Sequence, residues 1–469
     1  MSLKFGSRQV VVLSTTPLIE EYLANNDIVF ANRPQLPSRQ VFNYDKRNLG
    51  SLPYGADWRN LRRLTTIEVL SSRRVQLAST TRVGEIRHLV RQLIGNSSDG
   101  RKVNMNTFLY LLTVNIMMQS VSGERFIEDG VDSEQVKEKL NHLKHMFGLA
   151  GFSNATGDFI PMLRWMPFYK MEKMIRKRFI ERDGYMQELI DTRRNAKSYN
   201  RVSDSESKRT ILDALLVLQE SEPEIYTDDF IKGTIMTMIL PLPYFQIPLN
   251  QHDRIVIRRI ASPELMLVAG ADTSAKTMEE IISQLLSHPK VLEKARAEID
   301  ANVGHSRLMD DSDLSDLPYL QCIMNESLRL KNPIGVSPPH ESSEDCTLAG
   351  YRIPKGTMLL VNTWLIHRDP SNWEDPETFK PERFELAAEE NNSNKGNNSS
   401  LKFIPFGFGR RRCPGITLAN RLMTLAVGTM IQCFDWEDSG MNSGKNYIDK
   451  PLDVVFRPRP ELVNVLSQL

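Results

Sequence analysis

The segment Pro405–Gly415, PFGFGRRRCPG, constrains this chain more than any other part of its sequence. It sets Cys413 among glycines and three arginines, and Phe406 lies seven residues before the cysteine. A disulfide does not need these surroundings, and a zinc site needs more ligands nearby than one sulfur. A single thiolate that binds a metal whose other ligands are not protein does need them. We interpret this segment, called the cysteine loop below, as the place of such a thiolate.

Three properties of the cysteine loop favour a thiolate that ligates haem iron. Gly409 and Gly415 let backbone N–H groups approach the sulfur closely, and a helix predicted to begin near Ile416 adds the positive end of its dipole. A thiolate ligand increases electron donation to haem iron, and the Arg411 guanidinium matches a haem propionate in a two-pronged pair. The alternative is a buried structural cysteine beside a basic turn. The complete pattern F-x-x-G-x-R-x-C-x-G is more constrained than that alternative requires.

Composition excludes several classes of protein. The chain has 469 residues, 41% of them hydrophobic, and a net charge of +1, which is typical of a globular protein and argues against nucleic-acid binding. Its four cysteines form no C-x-x-C pair, so neither a disulfide scaffold nor a zinc finger is indicated, and a reducing compartment is expected. The N-terminal residues contain no apolar stretch near the ~18 residues of a membrane span. From them we expect no membrane anchor.

The hydrophobic periodicity predicts a mainly α protein with a smaller β-rich part. Apolar residues recur at three- and four-residue steps through most of the first two thirds of the chain, after a first strand in QVVVLS. Two helices are expected to meet at His288-Pro289, because proline disfavours a helical residue before it. From about Asp345 short strands and turns follow, and the tract NNSNKGNNSS is expected to be a surface loop. No linker separates these parts, so we expect one large domain.

The cysteine loop resembles the haem-binding loop of the cytochrome P450 monooxygenases, and further segments match that family's motifs in the correct order. They are WRNLR with Trp58 and Arg62, AGADTS with Gly270, Asp272 and Thr273, NESLR with Glu326 and Arg329, and FKPERF with Arg383. The resemblance covers nearly the whole chain. YGADWRNLRRL, PHESSEDC and IHRDPSNWEDP are most similar to a plant group typified by isoflavone 2′-hydroxylases.

The resemblance implies a single-domain fold around a buried haem b. Cys413 would be the axial iron ligand, Phe406 would shield its sulfur, and Gly409 and Gly415 would shape the loop around the cofactor. The residues implied to contact the haem propionates are Trp58, Arg62, His340 and Arg411. For His340, a solvated histidine at a strand edge is the alternative. Glu326, Arg329 and Arg383 would form a buried structural cluster, although Glu326 and Arg329 alone could be a surface pair worth ~0.2–0.5 kcal/mol.

The resemblance also assigns catalytic residues to the distal side of the haem. The Asp272 carboxylate and the Thr273 hydroxyl would relay protons there. Gly270 would let the helix open locally and free a carbonyl. The alternative is that Asp272 or Thr273 is merely a helix N-cap. The cysteine loop at the family's distance downstream favours the relay.

Partners follow from the same resemblance. Electrons would come from NADPH through a separate flavoprotein, NADPH–cytochrome P450 reductase, and the other reactants would be O2 and a small lipophilic substrate. We expect a basic patch to dock that acidic donor, with a merely solvated basic face as the alternative; the patch consists of Arg59, Arg63, Arg410 and Arg412. The family implies the cytosolic face of the endoplasmic reticulum membrane, although we expect this chain to lack the family's N-terminal anchor. We expect a monomer that binds no nucleic acid.

Two segments depart from the family pattern. Residues 239–266 separate DDFIKGTIMTM from LVAGADTS and contain Pro241, Pro243, Pro248 and Pro263, each costing ~3 kcal/mol or more inside a helix. We predict an atypical insertion, such as translated intron sequence or a surface excursion, before the oxygen-activation segment. Asn332 and Gly335 stand where the family has prolines, which would reshape the substrate-facing loop.

These features together predict a haem-thiolate monooxygenase that hydroxylates a small lipophilic or phenolic plant metabolite. The resemblance suggests a flavonoid or isoflavonoid, and residues 332–337 and 147–161 would shape its pocket. One alternative is a haem-thiolate isomerase or dehydratase, against which the acid–alcohol pair Asp272 and Thr273 counts. The other is a non-catalytic haem-binding or misfolded product, which the 239–266 insertion favours.

Overall fold

Helices make up most of the described chain. The computed structural model describes residues 1–37, 48–97, 102–128, 133–147, 156–165, 171–196, 210–239, 270–385, 399–438 and 452–469. The helices of these residues are α1 (Thr16–Asn25), α2 (Ala56–Leu64), α3 (Ser72–Leu77), α4 (Ser79–Ser97), α5 (Met105–Ser122), α6 (Ser133–Phe147), α7 (Met171–Asn195), α8 (Ile211–Ser221), α9 (Asp228–Ile239), α10 (Ala271–Ser287), α11 (Pro289–Asn302), α12 (Pro318–Leu330), α13 (Thr363–Ile366), α14 (Ile416–Cys433) and α15 (Val463–Leu466).

Short strands form three small sheets. The strands are β1 (Ser2–Phe5), β2 (Arg8–Leu13), β3 (Val103–Asn104), β4 (His340–Glu341), β5 (Cys346–Leu348), β6 (Tyr351–Ile353), β7 (Met358–Val361), β8 (Phe434–Asp438) and β9 (Asp453–Pro458). Their orders are β1-β2-β7-β4, β3-β9-β8 and β5-β6. In the first sheet β2 runs parallel to β7, with Val10 opposite Met358, while β4 is antiparallel to β7. This pairing joins the N-terminus to the β-rich part of the chain.

Local sequence explains the predicted elements that the structure confirms. All but the last residue of QVVVLS lies in β2, where Val10 and Leu13 are buried. The break at His288-Pro289 separates α10 from α11, and Pro289 takes the first position of α11, where its missing N–H is not needed. The last helix follows the cysteine loop at Ile416. The mainly α fold with a smaller β-rich part is therefore confirmed.

The core places α10 at the centre of the helical part. This helix packs against α5, α11, α12, α14 and β8. Helix α5 is buried on nearly all sides, as its sequence FLYLLTVNIMM requires, since a helix that is apolar all round must be buried. Helices α10 and α14 also contact each other directly. The helix that carries Thr273 and the helix that follows Cys413 thus meet inside the molecule.

Two predicted segments lie largely outside the residues that the structure describes. Residues 240–269 lie outside the described residues, so the predicted insertion at 239–266 stays a prediction; α9 ends at Ile239 and α10 begins at Ala271. Of the tract NNSNKGNNSS, residues 391–398 also lie outside the described residues. No helix in the described part of the chain combines the length and apolar character needed to cross a bilayer.

Candidate active site

A cavity of about 250 Å³ lies between α10, α2, the cysteine loop and the segment that leads into β4. Most of the residues that the sequence singled out line it. They are Trp58, Arg62, Gly270, Thr273, His340, Phe406, Arg411, Cys413 and Gly415. Asp272 and Gly409 are not among the lining residues. The fold therefore gathers these residues from four separate segments around one internal space.

The cysteine loop is a tight turn held by its own backbone. The Cys413 N–H donates to the Phe406 carbonyl at 2.9 Å, and the Arg412 N–H donates to the Gly409 carbonyl at 3.1 Å. Gly407 and Gly409 have φ angles of +74° and +61°, in the left-handed region that favours glycine. This turn leads into α14, whose first residue, Ile416, comes three residues after Cys413.

Gly409 packs on the side of the loop away from the cavity. A Cβ atom at this position would come within 2.6 Å of Asp27 Oδ1 and 3.0 Å of Leu23. The Arg410 N–H that follows donates to the same Asp27 oxygen at 3.3 Å. Gly409 thus lets the cysteine loop lie close against the turn after α1.

Cys413 faces the cavity, and its charge depends on what the cavity holds. The side chain is exposed, because it opens onto this space. Burial by the surrounding protein raises the pKa of the thiol, whereas the Gly415 N–H and the charges of Arg62 and Arg412 lower it. Since the first effect dominates, the protein alone does not fully stabilise a thiolate. A coordinated metal ion does so, because a thiol that binds a metal loses its proton.

Arg411 is held firmly at the wall of the cavity. Its guanidinium donates to three backbone carbonyls, those of Ala31 at 2.7 Å, Leu49 at 2.9 Å and Leu52 at 2.6 Å. It also lies over the Trp58 ring, 4.5 Å from the centroid. Burial, followed by the neighbouring positive charges of Arg33 and Arg62, lowers the pKa of Arg411 to about 8.

Arg33 is a cavity residue that the sequence analysis missed. It is buried, and its Nη1 donates to the carbonyls of Pro338 at 2.7 Å and Pro339 at 3.0 Å. Among the described residues its Nε has no hydrogen-bond partner. Burial lowers its pKa to about 10. The signal in the sequence was an arginine inside the apolar, proline-rich run VFANRPQLP.

Three arginines thus face one cavity, and their charge identifies the group that fits there. None of the described residues that line the cavity is an aspartate or a glutamate. Buried cations require an anionic partner, and guanidinium groups pair best with carboxylates. Haem carries two propionate carboxylates and an iron that accepts a thiolate. Arg33, Arg62, Arg411 and Cys413 therefore fit haem.

His340 is buried in β4, not solvated at a strand edge. Its Nδ1 lies 2.8 Å from the Phe30 carbonyl and must carry the proton of that hydrogen bond, which leaves Nε2 as an acceptor in the neutral ring. Burial holds the pKa of His340 well below its usual range, and the Arg33 charge adds to this. A neutral His340 can accept a hydrogen bond from a neighbour, but it can donate to a propionate only after taking up a proton.

The first two turns of α10 present hydroxyl groups to the cavity. Thr273, Ser274 and Thr277 all line it. The Ser274 hydroxyl donates to the Gly270 carbonyl at 2.8 Å, so this carbonyl already has one partner. Gly270 is the N-cap residue of the helix, whereas Thr273 lies within its first turn. The N-cap alternative for Asp272 and Thr273 is therefore not what the structure shows.

Asp272 lies on the face of α10 that points towards α5 and α6. After burial, which is the larger effect, its negative charge raises the pKa of Tyr110 on α5. It also counteracts the burial that lowers the pKa of Lys144 on α6. The Lys144 ammonium lies over the Tyr110 ring at 4.3 Å. Asp272 and Thr273 are thus adjacent in the chain, but only Thr273 reaches the cavity wall.

The predicted cluster of Glu326, Arg329 and Arg383 is present and buried. Arg329 Nε and Nη2 bind the two Glu326 oxygens at 2.7 and 2.8 Å, and both side chains are fully buried. Arg383 Nε binds Glu326 at 3.0 Å. The surface-pair alternative is excluded by this burial.

His367 connects this cluster to the cysteine loop, a link that the sequence analysis missed. Its carbonyl accepts a hydrogen bond from Arg329 Nη1 at 2.7 Å, and its ring Nε2 accepts one from the Ile404 N–H at 3.0 Å. Burial lowers its pKa to about 3, followed by the charges of Arg329 and Arg368. A second link joins Asn332 Nδ2 to the Pro405 carbonyl at 3.3 Å.

Comparison with known proteins agrees with this site. The family model for cytochrome P450 matches residues 1–240 and 261–465. The chain is 40% identical to isoflavone 3′-hydroxylase of Medicago truncatula, covering 97% of this chain and 84% of that protein. It is 38% identical to isoflavone 2′-hydroxylase of Glycyrrhiza echinata, covering 93% and 79%. It is 39% identical to (+)-piperitol/(+)-sesamin synthase of Sesamum radiatum, covering 100% and 85%.

A solved structure shares the fold. A zebra fish cytochrome P450 with progesterone superposes with a TM-score of 0.74 at 22% identity, covering 98% of this chain and 96% of that one. The relatives found by sequence are much more similar to this chain, with about two residues in five identical. The chain with Cys413 at the floor of its cavity belongs to the cytochrome P450 family, and it is a cytochrome P450 monooxygenase that uses haem iron.

Proposed function

We propose that this monooxygenase hydroxylates an aromatic ring of a small lipophilic or phenolic plant metabolite, of the flavonoid or isoflavonoid class. The observation that supports it best is the cavity itself. One wall carries the Thr273 hydroxyl, while apolar side chains such as Leu70, Met117 and Ile334 form others. Two of the relatives reported above bear the name isoflavone hydroxylase. A planar phenolic substrate matches a mostly apolar pocket with a few polar groups.

The residues of this chain have separable tasks in that reaction. Haem, when bound, supplies the iron that activates dioxygen; Cys413 would ligate it, and Arg33, Arg62 and Arg411 would hold its propionates. The Thr273 hydroxyl holds and passes a proton at the cavity wall. Asp272, one residue earlier in the chain, would exchange protons with that hydroxyl from outside the cavity. The apolar lining keeps water away from the substrate.

Product analysis under isotopically labelled dioxygen tests this proposal. The holoenzyme, supplied with NADPH, a plant reductase and a panel of isoflavones and flavones, should give products that carry one labelled oxygen atom. Thr273→Ala should lower product formed per NADPH and raise hydrogen peroxide release, whereas Thr273→Ser, which keeps the hydroxyl, should restore the coupling. A labelled product is incompatible with an isomerase or dehydratase. Rearrangement of peroxides without oxygen uptake would contradict the proposal.

A companion variant tests the predicted insertion. Deletion of residues 239–266 should increase haem incorporation and turnover if this segment interferes with the oxygen-activation helix. The reduced protein under carbon monoxide reports intact thiolate ligation through its red-shifted band. The same haem content and turnover with and without the deletion would contradict the interference.

We further propose that the electrons come from NADPH through NADPH–cytochrome P450 reductase, which docks on the basic patch of Arg59, Arg63, Arg410 and Arg412. All four side chains are exposed. Arg59 and Arg410 lie against one ring, that of Tyr54, at 5.6 and 5.4 Å. Replacing Arg59 and Arg412 by glutamate should lower reductase-supported turnover, most strongly at low salt. Unchanged turnover in this double variant would remove the docking proposal.

We propose, finally, that the protein works at the cytosolic face of the endoplasmic reticulum membrane. The segment after Phe159 exposes apolar side chains: Ile160 is 46%, Met162 70% and Trp165 90% exposed. This segment adjoins β1, because Phe159 packs edge-on against Phe5. Trp165→Ala with Met162→Ser should weaken binding to phosphatidylcholine vesicles. Val463→Ser, at a residue 52% exposed elsewhere, is the control. Equal binding by all variants would contradict this proposal.

A further inference from the structure

Tyr54 is fixed in an unusual position between the surface and the cavity. The residue lies two positions before α2 and is half-buried. Its N–H donates to Asn32 Oδ1 at 2.7 Å, which anchors its backbone. Its ring packs on the Trp58 ring with centroids 5.4 Å apart. Backbone and ring are thus both held in place, so the ring forms a rigid platform.

Two arginines of the basic patch are organised on this platform. The Arg59 guanidinium lies 5.6 Å and the Arg410 guanidinium 5.4 Å from the Tyr54 centroid. Arg410 Nη1 also donates to the Tyr54 hydroxyl at 3.1 Å. Two cations in this position repel each other, and the negative face of an aromatic ring offsets part of that repulsion. The ring therefore holds both arginines where free side chains would separate.

Arg410 also forms an ion pair with the carboxylate of Asp27. Its Nε lies 3.1 Å from Asp27 Oδ2, while 41% of the Arg410 side chain is exposed. Asp27 therefore neutralises part of the charge of the pair, although Arg410 still reaches solvent. Arg59 keeps its exposed position on α2.

The same stack continues inward to the cavity. Trp58 has Tyr54 as one neighbour, and the Arg411 guanidinium lies 4.5 Å from its ring. Arg411 lines the cavity. The contacts Arg410–Tyr54–Trp58–Arg411 thus form an unbroken path from the exposed patch to the wall of the active site.

We propose that Tyr54 is a positioning residue for electron-donor docking, which holds Arg59 and Arg410 as one preorganised receptor for a carboxylate of an acidic flavoprotein. This inference rests on the proposed function, in which a separate flavoprotein supplies the electrons. Preorganised side chains lose less conformational freedom on binding, which increases affinity. Asp27 competes for the same arginine and weakens the receptor.

Three variants separate these contributions. Tyr54→Phe removes only the hydroxyl and should raise the dissociation constant for the donor about two- to fivefold, as loss of one exposed hydrogen bond does. Tyr54→Leu also removes the ring and should raise it about tenfold, since two cation–π contacts are lost. Asp27→Asn should lower it about threefold, because the patch gains one net positive charge. All three effects should shrink at high salt.

The experiment titrates the FMN domain of an NADPH–cytochrome P450 reductase against the holoenzyme and its variants at low and high salt. Reductase-supported turnover is measured beside turnover driven by an organic hydroperoxide, which requires no donor. The KM for reductase should change while hydroperoxide turnover and the red-shifted carbon monoxide band persist. Arg457→Ala, at an exposed arginine on β9 paired with Glu437, removes a positive charge that is not part of the basic patch and serves as the control.

The outcomes distinguish this inference from the proposed function. Weaker binding by Tyr54→Leu and tighter binding by Asp27→Asn, with Arg457→Ala unchanged, support the inference. Wild-type binding with no difference among the Tyr54 and Asp27 variants overturns the inference and leaves the donor proposal standing. A wild-type protein that neither binds nor accepts electrons from the reductase overturns both. If Tyr54→Leu loses its haem, Tyr54→Phe and Asp27→Asn still decide the question through their opposite signs.

Discussion

Replacing His367 by phenylalanine should weaken the attachment of the cysteine loop. The ring Nε2 is the acceptor for the Ile404 N–H at 3.0 Å, and Ile404 itself is buried. Phenylalanine keeps the ring volume but leaves this N–H without an acceptor. A buried unsatisfied donor costs about 1–3 kcal/mol, and we expect that loss in the free energy of unfolding at pH 7. Because Ile404 precedes the loop that carries Cys413, haem retention should fall with it.

His367→Gln is the matched control. Its side-chain oxygen can take the place of Nε2 as acceptor, so most of the lost stability should return.

Both variants should also change how the stability of the protein depends on pH. The pKa of His367 is lowered from 6.5 to about 3 in the folded protein. Between these values the unfolded chain holds a proton that the folded protein refuses, so stability falls by about 1.4 kcal/mol per pH unit as the pH decreases. Above 6.5 the ring is neutral in both states and contributes no pH dependence.

Urea unfolding of the holoenzyme, followed through the red-shifted carbon monoxide band and through tryptophan fluorescence, measures both effects at pH 7 and pH 5. Both variants should lose less stability than the wild type between these two pH values. The pH dependence due to His340 should remain in each of them, since that residue is unchanged. A His367→Phe variant as stable as the wild type at pH 7, or one that loses as much stability at pH 5, would refute the proposed role of the His367–Ile404 hydrogen bond.

Three further predictions follow from the same site. Glu326→Gln should lower the free energy of unfolding by about 3–5 kcal/mol, because Arg329 stays buried without its anion. The haem content after purification should fall as a result, and a normal haem content would contradict the prediction. Gly409→Ala should destabilise the loop, since φ is +61° and the new Cβ would meet Asp27 Oδ1 at 2.6 Å. Gly409→Ala with Asp27→Ala should recover part of the thermal stability, and no recovery would show that backbone strain alone accounts for the loss. Cys413→Ala should abolish the red-shifted carbon monoxide band, and a variant that keeps it would exclude Cys413 as the residue that would ligate the iron.

Much of the site could be predicted because its motifs are local. The cysteine loop is one continuous turn, and Glu326 and Arg329 are three residues apart on one helix, where neighbouring side chains meet. Trp58 and Arg62 are likewise four residues apart on α2, and both line the cavity. In each case the spacing along the chain determines the geometry, so the sequence is sufficient. The mainly α fold followed from the same periodicity.

What could not be predicted depends on contacts between distant segments. Arg33 becomes a cavity residue only because residues 31–36 run beside β4, with the Glu341 N–H donating to the Asn32 carbonyl at 3.0 Å. Gly409 was expected to shape the cofactor side of its loop, yet it packs against Asp27, nearly four hundred residues earlier in the chain. His367 contacts Ile404, 37 residues later in the chain. No local pattern contains these pairings, because they arise from tertiary packing.

The charges around the cavity connect cofactor binding to folding. Burial lowers the pKa values of Arg33, Arg62 and Arg411, which means that the fold holds cations where they are poorly solvated. On the cavity floor, burial opposes ionisation of Cys413 as well. A ligand that brings two carboxylates to the arginines and a metal ion to the sulfur relieves both unfavourable conditions at once. Any ligand that binds the folded state alone stabilises it, and tighter binding gives a larger stabilisation. Haem should therefore act as part of the core of this protein, and its loss should lower the stability of the β4 segment, α2 and the cysteine loop together.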